Sequence, residues 1–187
     1  MVQSFVTKVK GLTGLLSQPD AVTCQSTCVG MATGDKNIQA IRSRLLSEGD
    51  PGNPYVMGKV LHERLGIRYL FDEDASLAEM REWLRAGEFL ITHGWFTGSG
   101  HVVGMDGVAI DPTTLSYKFN MGDPWDEFDG PSWSYLGRSN KFDGFYSSRI
   151  IYAACVAGQS RDDAARIYRR GELDSAKKGA WVHRIKP

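Results

Sequence analysis

The stretch LRAGEFLITHGWFTGSGHVVGMDG, Leu84 to Gly107, is where the chain changes period. Up to Gly87 the apolar residues recur at helical spacing. After it, EFLITHGW and HVVGMDGVAI read as strands separated by a Gly/Ser turn. Working upstream, a helix is predicted from Thr23–Cys24 to about Thr33, where Gly34-Asp35 ends it. KNIQAIRSRLLSEG forms a second, with Ile38, Ile41, Leu45 and Leu46 on one face and Gly49 as its stop. After the turn cluster GDPGNP, YVMGKVLHERLG gives a third, closed by Gly66. Ile67 to Phe71 reads as a short strand, and DASLAEMREWLRAG as a helix behind a Ser76-x-x-Glu79 capping box. Downstream, SYKFNMG and YSSRIIYAACVA read as further strands. The expected class is α+β: a helical N-terminal half packed on an antiparallel sheet formed by the C-terminal half. Residues 1–157 form the expected domain, and residues 158–187 a polar, helical C-terminal appendage.

With 187 residues the chain can bury a sizeable core. Lysines and arginines balance aspartates and glutamates at 22 each, so global charge gives no argument for nucleic acid as a partner. The start, MVQSFVTKVKGLTGLL, lacks the apolar run and cleavage site of a signal peptide, and no run is long enough to span a bilayer. Synthesis in the cytoplasm is expected, with release by lysis or a dedicated secretion system left open. Three cysteines are too few for a disulfide scaffold.

Two of those cysteines lie in DAVTCQSTCVGMA, Asp20 to Ala32. Cys24 falls where the first helical turn begins, and there the dipole and free N–H groups favour a thiolate. Cys28, one turn on among Val29 and Met31, has the setting of an inert packing residue. The spacing is wrong for a C-x-x-C redox pair, and no second pair offers a zinc site. HERLG at His62 lacks the second histidine of H-E-x-x-H, and Cys155 lies in what reads as an apolar strand. His101 opens a strand just after a Gly/Ser turn, so its imidazole can be presented at a sheet rim. Asp123, in GDPW, and Asp111, in AIDP, both stand at strand ends and are rival partners for that imidazole. Gln18, six residues before Cys24, carries an amide that can donate to an oxyanion.

In chain order, Gln18, Cys24 at a helix start, His101 opening a strand and Asp123-Pro-Trp resemble the papain-like cysteine peptidases of the bacteriocin-processing, double-glycine type, in their broad bacterial and phage group. The resemblance covers roughly Leu16 to Ala157. It implies a papain-like fold with Cys24 as nucleophile, His101 as general base, Asp123 as the residue orienting the imidazole, and Gln18 in the oxyanion hole. It calls for no metal and no cofactor. The family has Gly-Pro after its cysteine where this chain has Gln25-Ser26. The expected substrate is a peptide or a peptidoglycan peptide, cleaved by a monomer in the manner of a phage endolysin or wall-targeting effector. The alternatives are a protein-directed cysteine protease and a catalytically silent papain-like binding protein.

Overall fold

A computed structural model describes residues 14–110, 116–137 and 141–187. The described chain opens with three helices, α1 (Cys24–Thr33), α2 (Ile38–Glu48) and α3 (Pro54–Leu65). Their ends follow the local signals. Gly34 closes α1 in the left-handed conformation, with φ at 84°, and returns its N–H to the Gly30 carbonyl. Asn37 and Asn53 cap α2 and α3 through their side chains, and Pro54 takes the first turn of α3. A short 3-10 turn at Gly66–Arg68 then leads into β1 (Tyr69–Ser76). The predicted Ile67–Phe71 strand is therefore shifted toward the C-terminus.

Helix α4 (Leu77–Arg85) begins at the expected capping box. The Ser76 hydroxyl accepts from the Glu79 N–H, and the Glu79 carboxylate accepts from the Ser76 N–H. Four strands follow: β2 (Phe89–Gly94), β3 (His101–Ile110), β4 (Tyr117–Asp123) and, past a small two-stranded ribbon of β5 (Phe128–Asp129) and β6 (Ser134–Tyr135), β7 (Phe142–Ser147). Then come α5 (Ser148–Ile151) running into a π-helical turn (Tyr152–Ala157), α6 (Arg161–Arg170) and β8 (Lys178–Ile185). The main sheet is antiparallel throughout, in the order β1-β8-β2-β3-β4-β7.

Two buried clusters flank this sheet. On one face Phe89, Ile91 and Val102 meet Cys28, Val29, Ile41, Leu45, Met57 and Leu61 from α1–α3. On the other, Leu90, Val103, Met105, Phe119 and Val182 meet Leu77, Met80 and Leu84 of α4 and the helical segments after β7. Consecutive residues of β2 and β3 thus point into opposite cores. Burial on both faces explains the runs FLI and VV, which a strand wetted on one side would not carry.

Two sequence expectations are corrected. YSSRIIYAACVA is a strand only up to Ser147; from Ser148 to Ala157 it is helical. A short continuous apolar run fits a buried strand and a buried helix equally, and here the Ser147 cap selects the helix by accepting from the Ile150 N–H. Cys155 is accordingly in a helical turn. Beyond Gly158, α6 is helical as expected, but β8 is inserted between β1 and β2. Ala180, Val182, His183 and Ile185 are buried there, so the C-terminal segment completes the sheet instead of hanging from it. The sheet also draws β1 from the first half of the chain.

Candidate active site

Cys24 stands at the first position of α1, after Thr23 at the N-cap position, and is 6% exposed. The helix packs against β3 at the end where His101 opens the strand. The Cys28 thiol, one turn below, donates to the Val102 carbonyl at 3.4 Å and ties α1 to that strand.

The register of β3 and β4 decides what His101 meets. Gly104 lies opposite Gly122. Continuing that register one step would bring Asp123 across from Val103, with His101 as its diagonal neighbour on the same face. His101 Nε2 is 2.9 Å from Asp123 Oδ1, and both side chains are buried. With Nε2 engaged, Nδ1 is the nitrogen left for the hydrogen bond between His101 and Cys24. Three residues distant in sequence therefore form a continuous Cys24–His101–Asp123 chain.

Asp123 is fully buried and accepts four hydrogen bonds. Oδ1 also takes the Trp125 N–H at 3.0 Å, and Oδ2 takes the hydroxyls of Tyr135 at 2.9 Å and Tyr146 at 3.0 Å. Tyr146 is itself held, accepting from the Phe128 N–H at 2.9 Å. Phe96 and Tyr135 present ring edges to the imidazole. Sequence reasoning missed both tyrosines. They lie 12 and 23 residues beyond Asp123, and neither WSYLG nor GFYSS carries a local signal of such a role.

The electrostatics follow from this geometry. Burial pushes the Cys24 thiol up, but the hydrogen bond and charge of His101, with the backbone N–H groups of Val102 and Gln25, outweigh it and hold the thiol below its ordinary value. Burial works against charge on His101, yet Asp123 and Cys24 override it and push the imidazole up to about 10. Both shifts favour a thiolate–imidazolium pair. The other two thiols go the opposite way: burial pushes Cys28 well above its ordinary value and Cys155 up to about 12.

Gln18 is close to this group through its backbone, whose N–H donates to the Pro124 carbonyl at 2.9 Å. Its side-chain Nε2 donates to the Asp20 carbonyl at 2.7 Å, while Oε1 is buried without a partner. Asp111, the rival acid, lies outside the described residues. Among the described residues, no group of three or more His, Cys, Asp and Glu is placed to hold a metal ion, and no helix is long and apolar enough to cross a membrane.

A cavity of about 360 Å³ opens beside His101. Gln25, Trp95, Val102, Cys155, Val156 and Trp181 are among its walls, so a shaped recess lies beside the imidazole.

No protein-family model matches the chain, and no curated protein matches its sequence. Solved structures do. A C39-like peptidase from Bacillus anthracis is 11% identical, with a TM-score of 0.51 over 98% of each chain. A double glycine motif protease from an AMS/PCAT transporter, in complex with its leader peptide, is 11% identical with a TM-score of 0.44, covering 97% of this chain and 99% of that one. The first of these shows the fold: the α+β architecture is similar to that of the C39-like peptidase.

Proposed function

We propose that this chain is a papain-like cysteine peptidase in which Cys24 is the nucleophile, His101 the general acid and base, Asp123 the residue that orients the imidazole, and Gln18 an oxyanion donor. The observation that carries this reading is the buried Cys24–His101–Asp123 chain at the start of α1, on a C39-like fold.

The chemistry runs as follows. The Cys24 thiolate attacks the carbonyl carbon of a peptide bond, and the carbonyl π electrons move to oxygen. That oxyanion is met by the Cys24 N–H, one of the amides a helix start leaves without an intrahelical acceptor, and by the second Nε2 proton of Gln18. The imidazolium then gives its Nδ1 proton to the leaving amine as the C–N bond breaks, leaving a thioester on Cys24. A water enters, loses a proton to Nδ1 and attacks the thioester. Collapse expels the carboxylic acid and restores the ion pair.

Within this reading the substrate is a peptide of the bacterial cell wall, which makes the chain a lysin-type or wall-targeting enzyme acting as a monomer. The support is charge. The segment after Gln159 carries eight basic residues against four acidic ones, the sign that an anionic wall polymer attracts.

Iodoacetamide labelling at mildly acidic pH tests the nucleophile. Cys24 is expected to react far faster than Cys28 or Cys155, and equal, slow labelling of all three would defeat the catalytic reading. Mass analysis of fragments released from purified peptidoglycan, with Cys24→Ala as control, tests the substrate. Release by neither protein would remove the wall reading and leave peptides of another source.

A further inference from the structure

Three strands bring together two histidines that the catalytic scheme does not use. Ile91 of β2 and Phe71 of β1 both lie opposite His183 of β8, one on each side. Two residues along their strands, His93 and Tyr69 are therefore diagonal neighbours of His183, on the face that packs on α1–α3. The contacts follow that register. The Tyr69 hydroxyl is 2.8 Å from His183 Nδ1, and His183 Nε2 is 3.1 Å from His93 Nε2. Phe71 stacks on the His183 ring, with centroids 4.7 Å apart, and pins it.

The proton order along this chain is set at its buried end. Tyr69 is 8% exposed, and its hydroxyl is pressed under α3, where a Cβ on Gly58 would stand 2.7 Å from it. Burial holds the phenol protonated, and its partner among the described residues is His183 Nδ1. A buried hydroxyl uses its proton, so Tyr69 donates and His183 Nδ1 accepts. Burial also keeps both imidazoles neutral, pushing His93 down to about 4 and His183 well below its ordinary value. A neutral imidazole that accepts at one nitrogen carries its proton on the other. His183 thus donates from Nε2 to His93 Nε2, and His93 carries its proton on Nδ1.

That Nδ1–H has no partner among the described residues. His93 is only partly buried and lines the cavity beside His101. It stands opposite Val102, whose carbonyl takes the Cys28 thiol of α1. The next residue, Gly94, stands opposite His101, so His93 is one strand position from the catalytic imidazole. Among the residues lining the cavity only His101 carries a charge. Its imidazolium faces both the Cys24 thiolate and the Asp123 carboxylate, which leave one negative charge in excess. A carboxylate entering there would be repelled, whereas a peptide carbonyl accepts a hydrogen bond without adding charge.

We infer that His93 is a substrate-binding residue whose Nδ1–H, fixed in that tautomer by Tyr69 through His183, donates to a backbone carbonyl of the peptide and seats it beside His101. The inference rests on the peptidase reading, to which it adds a residue that holds the substrate's main chain. Because every peptide carries such carbonyls, His93 contributes affinity and alignment, and leaves side-chain preference to other residues.

The test reads tautomers first and binding second. In nitrogen-15-labelled Cys24→Ala protein near neutral pH, two-bond proton–nitrogen correlations of the imidazoles distinguish Nδ1–H from Nε2–H. The four histidines are assigned by single substitution. His93 is expected as Nδ1–H and His183 as Nε2–H, and Tyr69→Phe, which removes the donor, should release both into mixed tautomers. Acetyl-tetraalanine amide, titrated into the same protein, should move the His93 Nδ1 resonance saturably. His93→Asn, whose amide nitrogen stands near the place of Nδ1, should bind within about threefold of the parent; His93→Leu should bind about tenfold more weakly, the margin of one hydrogen bond. Should His93→Leu fail to fold, the tautomers and the peptide-induced shift of the parent still decide. Nε2–H on His93, tautomers unchanged in Tyr69→Phe, an Nδ1 resonance that the peptide leaves unmoved, or full affinity in His93→Leu would each overturn the donor role. The two readings fail separately. Binding that moves His93, together with no peptide hydrolysis by the wild type, would sink the peptidase reading alone. Hydrolysis with kcat/KM unchanged in His93→Leu would sink the donor role alone.

Discussion

The Tyr135 hydroxyl donates to Asp123 Oδ2 at 2.9 Å, on the carboxylate oxygen opposite the one that meets His101. With Tyr146 on the same oxygen and the Trp125 N–H on the other, the carboxylate is fixed in both position and plane. The oxygen partners of the imidazole's neighbour are therefore set by two tyrosines distant in sequence from it. Tyr135→Phe and Tyr146→Phe are expected to lower kcat by about tenfold each while leaving KM nearly unchanged, the pattern of a loosened general acid and base. Tyr146→Phe also removes a donor from a buried carboxylate and the acceptor of the Phe128 N–H. A loss of about 1–3 kcal/mol in denaturant unfolding should accompany it.

Asp123→Asn keeps the shape and removes the charge. Asp123 is the principal influence raising His101, so the variant should bring the alkaline limb of the rate profile down from near pH 10. The acid limb should move up, because a less charged imidazole stabilises the Cys24 thiolate less. The rate at the optimum is expected to fall by about 10²–10⁴. A kcat/KM profile between pH 4 and pH 11 reads all three effects, and an unaltered profile would show that Asp123 does not act on the imidazole.

For the wild type the signs give a bell. The thiolate exists above the lowered pKa of Cys24, so activity rises on an acid limb below the ordinary thiol range. The imidazolium exists below about 10, so activity falls again as pH passes that value and no proton remains for the leaving amine. The alkylation rate of Cys24 should follow the acid limb alone, since labelling needs the thiolate and no proton donor. Two limbs in the labelling profile would contradict this assignment.

Cys28 is predicted to be structural. Its thiol is fully buried and bonded to the Val102 carbonyl, and Cys28→Ala removes both the sulfur packing and that weak hydrogen bond. Denaturant unfolding should show a loss of about 1–2 kcal/mol, with kcat kept within a few-fold of wild type.

A chain ending at Ala157 should fail to fold. It would lack α6 and β8, and β8 pairs with β1 on one side and β2 on the other. Its removal opens two strand edges in the middle of the sheet and uncovers both cores. Loss of the cooperative thermal transition and of near-ultraviolet circular dichroism would report this; a folded, monomeric truncation would refute it.

The difference between these predictions and a reading of the sequence lies in distance along the chain. Helix ends were legible because a cap is local: Gly34, Asn37, Asn53 and the Ser76–Glu79 box act within a turn of where they stand. The place of Cys24 at a helix start was legible for the same reason. The segment 148–157 was misread because a short apolar run has no period to distinguish strand from helix; the Ser147 cap and packing against the sheet and α6 accompany the helix it adopts. β8 was misread because its neighbours, β1 and β2, are about a hundred residues away, and its exposed Lys178 and Trp181 gave it the look of a terminal tail.

By itself the sequence determined the α+β class, the three opening helices and the candidates Cys24, His101 and Asp123, because each depends on spacing and end signals that act over a few residues. The tertiary structure decided which acid meets the imidazole among the described residues, which tyrosines hold that acid and where the chain's last strand belongs. Those outcomes depend on strand register and on the burial of two cores at once, and both are settled only when residues far apart in sequence compete for the same space.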